Sequence, residues 1–416
     1  MKDTGQPAPG ALMMALFFSG GGTRAAAFSY GVLRELATVP LPSGGRLLDR
    51  VTTINAVSGG SFTAAYYCLF GDRIFADFER DFLKVDVQAT LLRRCLTPFN
   101  SARLMSSRFG RSDLAAEYYD EILFHGATFG DLAKAAGPRP FLVINATNIC
   151  TSTQWQFTQG QFDLIGSDLS RYPVSRAVAA SSAVPFLFTP IVLQNQADRV
   201  SATDPVLVSP AASDDVFANH RTALEEVNRA YRDVGRHPYL FLMDGGLVDN
   251  LALRNLIDGV TLSGGWRSVM DGLRARGITR LAIIVVNAAV ESRMEWAQRD
   301  ETPSLENIIR SLSNATINRT NRETIGLVEA SLAQWQKEQG ADGAGLQPAI
   351  YFITVDFHSR SDPAERAFFD SVPTSFDLPP ETVDRLVAAG GRLLRESLPY
   401  RSLLNDLSGE AAARRP

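Results

Sequence analysis

Cysteine is scarce in this chain. Cys68, Cys95 and Cys150 are the only three in 416 residues, and they are widely spaced. That excludes a disulfide framework and a thiolate metal site, and it fits a reducing compartment. Histidine is nearly as rare, with His125, His220, His237 and His358 alone. No acidic loop has the spacing of a calcium site, so neither metal nor cofactor is expected. Long apolar runs are missing too; none approaches the roughly 20 residues of a membrane-spanning helix. The first ten residues, MKDTGQPAPG, read as a polar tail. In it Lys2 is offset by Asp3, and the apolar run that follows is eight residues long and ends in Ser-Gly-Gly-Gly. This is not the pattern of a secretory signal, and the expected location is cytoplasmic or peripheral to a membrane. No excess of one charge is present either: the net charge of −4 excludes a general nucleic-acid binder. Internal repeats and low-complexity segments are absent.

What the chain does have is an ordinary globular composition, 45% hydrophobic and 21% charged, with ample length for a large core. Its most informative stretch is Ala11 to Phe28, ALMMALFFSGGGTRAAAF. Ala11 to Phe18 reads as a buried strand of a parallel sheet. Gly20, Gly21 and Gly22 then turn the chain into a helix whose Phe28, Val32 and Leu36 share one face. Glycines at a helix N-terminus leave backbone N–H groups bare for an anion, either a phosphate or a developing oxyanion. The dinucleotide fingerprint fits loosely at Gly20, Gly22 and Ala25, but Asp49 comes too late to be its acid. A P-loop is excluded because no Lys-Ser/Thr pair follows. A turn that merely joins strand to helix is the plain alternative.

Val51 to Val57, VTTINAV, is β-branched and reads as the second strand. Ser58-Gly59-Gly60 follows at once, and a helical pattern begins at Ser61. A serine at the apex of a strand–turn–helix unit is where the G-x-S-x-G elbow raises its nucleophile. Here the first glycine is Ala56, a small residue in a small residue's place. Ser58 as a helix N-cap is the alternative, although Ser61 is better placed for capping.

Residues 71–137 read as a mostly helical insertion. Between Val87 and Ser112 lie Arg93, Arg94, Arg103, Arg108 and Arg111, no acid, and seven interleaved large apolar residues. Such a segment suits either an anionic lipid surface or a solvated face over a core helix. Pro140 to Ala146 is a third strand, and Thr153 to Thr158 a further short one. Pro173 to Ala183 is helical, followed by Pro185, Phe186 and Phe188, either walls of an apolar acyl site or a rigid loop. Residues 193–215 read as a polar flap. Tyr239 to Met243 is a strand ending in Asp244-Gly245-Gly246, and Asp244 sits where open α/β sheets keep their sites. It could equally cap a turn. Arg280 to Asn287 and Ala349 to Val355 are two more strands, Leu378 to Leu398 a last helix, and residues 408–416 a tail. The expected architecture is a single three-layer α/β/α domain over 11–407 with a mostly parallel sheet.

If the sheet is parallel throughout, Ser58, Asp244 and the Gly20–Gly22 loop meet at one edge, as nucleophile, base and oxyanion donors. His358 is the one histidine suited to the order Ser…Asp…His, which leaves a Ser58–Asp244–His358 triad as a second mechanism. Taken together, Gly20-Gly21-Gly22-Thr23-Arg24, Ser58-Gly59-Gly60, Ala180-Ser181-Ser182-Ala183-Val184-Pro185 and Asp244-Gly245-Gly246 with Asn250 resemble the patatin-like phospholipase family, in that family's order. The resemblance covers about Met13 to Asn250. It implies a serine–aspartate dyad without histidine or metal, and a lipid or other acyl ester as substrate. Ser58 resembles the family's nucleophile and Asp244 its base. Gly20, Gly21 and Gly22 resemble its oxyanion hole, with Arg24, Gly60, Gly245 and Gly246 in support. Ala56 and Ala25 depart from the family's glycines without removing a reactive group. The competing classes are a lipid-binding scaffold with a relic site and a nucleotide-binding α/β protein.

Overall fold

The computed structural model describes residues 11–42, 44–135, 137–199, 218–290, 304–342, 348–358 and 362–413, with residues 300 and 302. The expected polar tail at 1–10 and most of the expected flap, 200–215, lie outside the described residues.

One eight-stranded sheet runs through the molecule. Its strands are β1 (Ala11–Phe18), β2 (Val51–Val57), β3 (Phe141–Asn148), β4 (Thr153–Gln156), β5 (Ile191–Gln194), β6 (Tyr239–Asp244), β7 (Ile278–Asn287) and β8 (Ala349–Asp356). They are ordered β5-β6-β3-β2-β1-β7-β8, with β4 paired to β3 off this path. The helices that matter for the site are α1 (Gly22–Thr38), α2 (Gly59–Phe70), α3 (Val87–Cys95), α4 (Pro98–Leu104), α5 (Arg111–Tyr119) and α6 (Val174–Ser181). Beyond them α7 (Leu305–Asp342), α8 (Pro380–Glu396) and α9 (Leu398–Ala413) complete the layers. The chain therefore does not end in a single helix at Leu398. Ser397 is extended, and a further helix runs to Ala413, through part of the expected tail.

The layers follow from strand periodicity. Leu12, Met14, Leu16 and Phe18 of β1 face one core, beside Ile54 and Ala56 of β2 and Ile284 and Val286 of β7. Phe17, Val57, Ile283 and Val285 face the other. Strands apolar on both faces need helices on both sides, which is the three-layer arrangement expected.

The sheet is parallel through β3, β2, β1, β7 and β8. It is not parallel at β6. That strand pairs antiparallel with β3, and β5 pairs antiparallel with β6. The expectation that Asp244 reaches the site from a parallel strand is corrected here. β5 was also not expected, and Leu193 and Gln194 belong to it rather than to a flap. Four residues at a sheet edge, alternately buried and exposed, carry too short a pattern to stand out.

Candidate active site

Two registers on β3 bring the site together. Val57, the last residue of β2, pairs with Asn145. Asp244, the last residue of β6, pairs with the next residue, Ala146. The chain leaving β2 therefore meets the end of a strand that arrives from the opposite direction.

Ser58 sits at that meeting point with φ 48° and ψ −122°, a strained conformation for a residue with a Cβ. It occupies the N-cap position of α2 but makes no side-chain capping bond, so the N-cap alternative is set aside. Its hydroxyl donates instead to Asp244 Oδ2 at 2.8 Å. Both residues are buried. The strained turn is held from behind: the Ser58 N–H donates to Ser181 Oγ at 2.8 Å, and that hydroxyl donates to the Asn145 carbonyl at 2.6 Å. Ser61 Oγ lies 3.0 Å from Ser181 Oγ.

Asp244 is fixed on its other side by the Gly246 N–H, which donates to Oδ1 at 2.8 Å. Its own N–H donates to the Ala183 carbonyl at 3.0 Å. Burial raises its pKa to about 6, partly offset by the hydrogen bonds from Gly246 and Ser58.

The three-glycine turn lies against the elbow. A Cβ on Gly59 would run into the Gly22 carbonyl, and one on Gly20 would stand 3.1 Å from Ser58 Cβ and 2.5 Å from Asn250 Oδ1. Gly21 and Gly22 have φ 139° and 61°, open to glycine. The Gly20 N–H donates to the Asn250 carbonyl at 3.0 Å. Among the described residues the N–H groups of Gly21, Gly22 and Gly59 have no hydrogen-bond partner. Thus Gly20 supplies space, whereas its two successors leave donors bare.

Arg24 is buried one turn into α1. Its Nε donates to the Ala288 carbonyl at 2.9 Å, one terminal nitrogen to the Val372 carbonyl at 2.6 Å, and the other to Thr374 Oγ1 at 3.1 Å. Burial lowers its pKa to about 10, with Asp370 opposing the shift. The guanidinium is a clamp between the glycine turn and two distant loops. Gly60 lets α2 approach β1, since its Cβ would stand 2.7 Å from Phe18 Cβ and from the Ser19 carbonyl. Gly245 does the same at β3, where a Cβ would lie 2.5 Å from the Asn145 carbonyl. At Gly246 a Cβ would lie 3.0 Å from Asn250 Oδ1 and 3.1 Å from Asp244 Oδ1.

One expectation fails. His358 is not at the site: β8 is three strands from β2, roughly 14 Å at ordinary strand spacing. Its Nε2 faces Asp370 at 4.0 Å, and Asp244 already receives Ser58 directly, so no imidazole lies between them. The Ser58–Asp244–His358 triad is therefore not assembled. Of the residues expected to wall an acyl site, Phe186 has φ 71° and is exposed, Pro185 is half-buried and Phe188 packs against the main core. Sequence reasoning gave no separate role to Ser181, Asn145, Gly59 or Asn250. Gly59, Ser181 and Asn250 stand within the family's motifs, which is the one signal that pointed to them.

The site thus sets a buried serine hydroxyl on a positive-φ elbow against a buried carboxylate, at the edge of an α/β/α sheet. The patatin-like phospholipase family model matches residues 16–257, more than half of the chain, and the chain belongs to that family. Among solved structures it is similar to human GIVD cytosolic phospholipase A2, at 13% identity and a TM-score of 0.49. The match covers 97% of this chain and 60% of that one. A second structure of that enzyme, in complex with methyl gamma-linolenyl fluorophosphonate, matches at 14% identity with a TM-score of 0.43 and the same coverage. The chain thus spans less than two thirds of the length of these neighbours. A search among curated proteins finds no match.

Proposed function

We propose that this protein is a lipid acyl hydrolase that works through an acyl-serine intermediate, with Ser58 as nucleophile and Asp244 as general base. The observation that carries the reading is the 2.8 Å hydrogen bond from Ser58 Oγ to Asp244 Oδ2 on a positive-φ elbow. A serine hydroxyl is a weak nucleophile until a base takes its proton, and a carboxylate in water is too weak a base for that work. Burial answers the second difficulty by lifting Asp244 to about 6.

In the proposed cycle Ser58 Oγ attacks the ester carbonyl and its proton passes to Asp244. The N–H groups of Gly21, Gly22 and Gly59 face the oxyanion. Collapse of the tetrahedral adduct expels the alcohol, which takes the proton from Asp244. A water then gives its proton to Asp244 and attacks the acyl-serine, and Ser58 regains its proton as the fatty acid leaves. Phospholipid, lysophospholipid, glyceride and acyl thioester all supply the carbonyl this cycle needs. Contact with a lipid aggregate belongs to the reading, because substrates of this kind are presented in one. Among the described residues no helix is long and apolar enough to cross a membrane.

Labelling with a fluorophosphonate probe tests the proposal. Wild type should be labelled, Ser58→Ala should not, and Asp244→Asn should be labelled more slowly. Persistent labelling of Ser58→Ala would overturn the assignment. A nucleotide-binding protein would instead gain thermal stability from nucleotide and show no ester hydrolysis.

A further inference from the structure

We propose that the outward face of α3 and α4, with the Phe186–Leu187 turn beside it, is the surface on which this protein docks to an anionic phospholipid bilayer. The proposal rests on the reading of the site as a lipid acyl hydrolase.

α3 carries two apolar seams. Val87 and Leu91 face the core, as one seam of a surface helix should. Leu92 and Leu96, one turn apart, face outward and are 63% and 72% exposed. Phe99 of α4, at 73%, and Met105 just past its end, at 89%, are exposed as well. Single exposed apolar residues are unremarkable, but four large ones within 14 positions form a patch that water does not favour.

The cations divide into two sets. Arg94 pairs with Glu121 at 2.7 Å and stands over the Tyr118 ring, and Arg103 pairs with Glu117 and stands over the Phe109 ring. These two fasten α3 and α4 onto α5 and its continuation. Arg93 and Arg108 are exposed and have no acidic partner among the described residues. From Val87 to Ser112 there is no acid to compete for them. Outward apolar side chains flanked by uncompensated cations match a bilayer with anionic headgroups, where the first enter the acyl boundary and the second meet the lipid charge.

The patch is joined to the active site. Arg111 donates to the Phe186 carbonyl at 2.8 Å, and the Ser112 N–H donates to Thr189 Oγ1 at 3.3 Å. Phe186 and Leu187 are exposed, and Phe186 is held at φ 71°, a costly conformation for a bulky residue. Three residues earlier, the Ala183 carbonyl accepts the N–H of Asp244. The segment that carries Phe186 is thereby bonded at one end to the docking face and at the other to the backbone of Asp244.

The test is cosedimentation with phosphatidylcholine vesicles, with and without phosphatidylglycerol, using Ser58→Ala protein so that turnover does not alter the lipid. The parent should bind the anionic vesicles, more weakly as salt rises. Adding Leu96→Glu, Phe99→Glu and Met105→Glu should weaken binding roughly tenfold or more, and adding Arg93→Glu and Arg108→Glu should remove the preference for anionic vesicles. With Ser58 intact, the same triple variant should hydrolyse a soluble short-chain ester at about the wild-type rate, which confirms folding. Undiminished binding by the triple variant overturns the proposal. So does a parent that ignores vesicles but forms a dimer the triple variant cannot form, which would assign the face to a second copy of the chain. Vesicle binding without any ester hydrolysis by wild type defeats the hydrolase reading and leaves the surface standing.

Discussion

Ser181 holds Ser58 by its backbone, not by its hydroxyl. The Ser181 hydroxyl accepts the Ser58 N–H at 2.8 Å and donates a hydrogen bond to the Asn145 carbonyl at 2.6 Å. The elbow's φ of 48° is thereby tied to the strand that also registers Asp244. Ser181→Ala leaves a buried donor and a buried acceptor unpaired, which costs about 1–3 kcal/mol of stability. If Ser181 positions the nucleophile, kcat on a soluble ester should fall roughly tenfold or more with KM little changed, and Ser181→Thr should recover part of it. Thermal melts alongside kcat and KM separate the two effects, since a purely structural residue would lower the melting temperature and leave kcat alone.

Burying the Asp244 carboxylate destabilises the fold. In the unfolded chain it titrates near 3.8, and in the native state near 6. The native state therefore binds the extra proton between those values, and stability falls as pH rises from about 4 to 6 and then levels off. The two values imply a cost of roughly 3 kcal/mol above that window. Asp244→Asn should be inactive yet more stable than wild type at pH 8, with the gain vanishing near pH 4. Melting curves across that range check the sign. In wild type, kcat/KM should drop about tenfold per pH unit below 6 and show no further rise near 7, since no imidazole takes part.

Arg24 has three hydrogen bonds within the protein and is buried, so it has little left for a lipid headgroup. Arg24→Lys keeps a charge but cannot reach three acceptors at once, and it strands two of them. The expected result is a clear loss of stability, on the order of 2–4 kcal/mol, with a similar loss of activity on phospholipids and on neutral esters. Selective loss on phospholipids would show instead that the guanidinium meets the phosphate.

The parts of this site that could be read from sequence are those whose signal is local. β1 and β2 are continuous apolar or β-branched runs, because strands covered on both faces have no polar side. The turns after them are written in Gly20–Gly22 and Ser58–Gly60, because tight approach excludes side chains. The rest depends on partners far along the chain. Arg24 reaches Ala288 and Val372, 264 and 348 positions away, and nothing near Arg24 in sequence points to them. The direction of β6 was not legible either: YLFLM reads as a strand, but only its pairing with β3 makes it antiparallel. Likewise the apolar residues of 87–112 were visible, but not which of them face out.

Gly59 was read as part of the elbow's motif, yet its contacts make it the most sensitive glycine of the site. A methyl there would collide with the Gly22 carbonyl and stand 2.8 Å from the Gly22 nitrogen, and these are backbone atoms that no side-chain rotation can move aside. Gly59→Ala must push the glycine turn away from Ser58. If Gly21, Gly22 and Gly59 face the oxyanion, that displacement should lower kcat by about 10²–10³, the loss expected from an oxyanion donor, even where the protein still folds. Gly20→Ala meets a side chain, Asn250 Oδ1 at 2.5 Å, which can shift, and should cost less. Circular dichroism with kcat for both variants decides it: equal losses, or a folded Gly59→Ala with wild-type kcat, would mean that the turn is not what holds the developing charge.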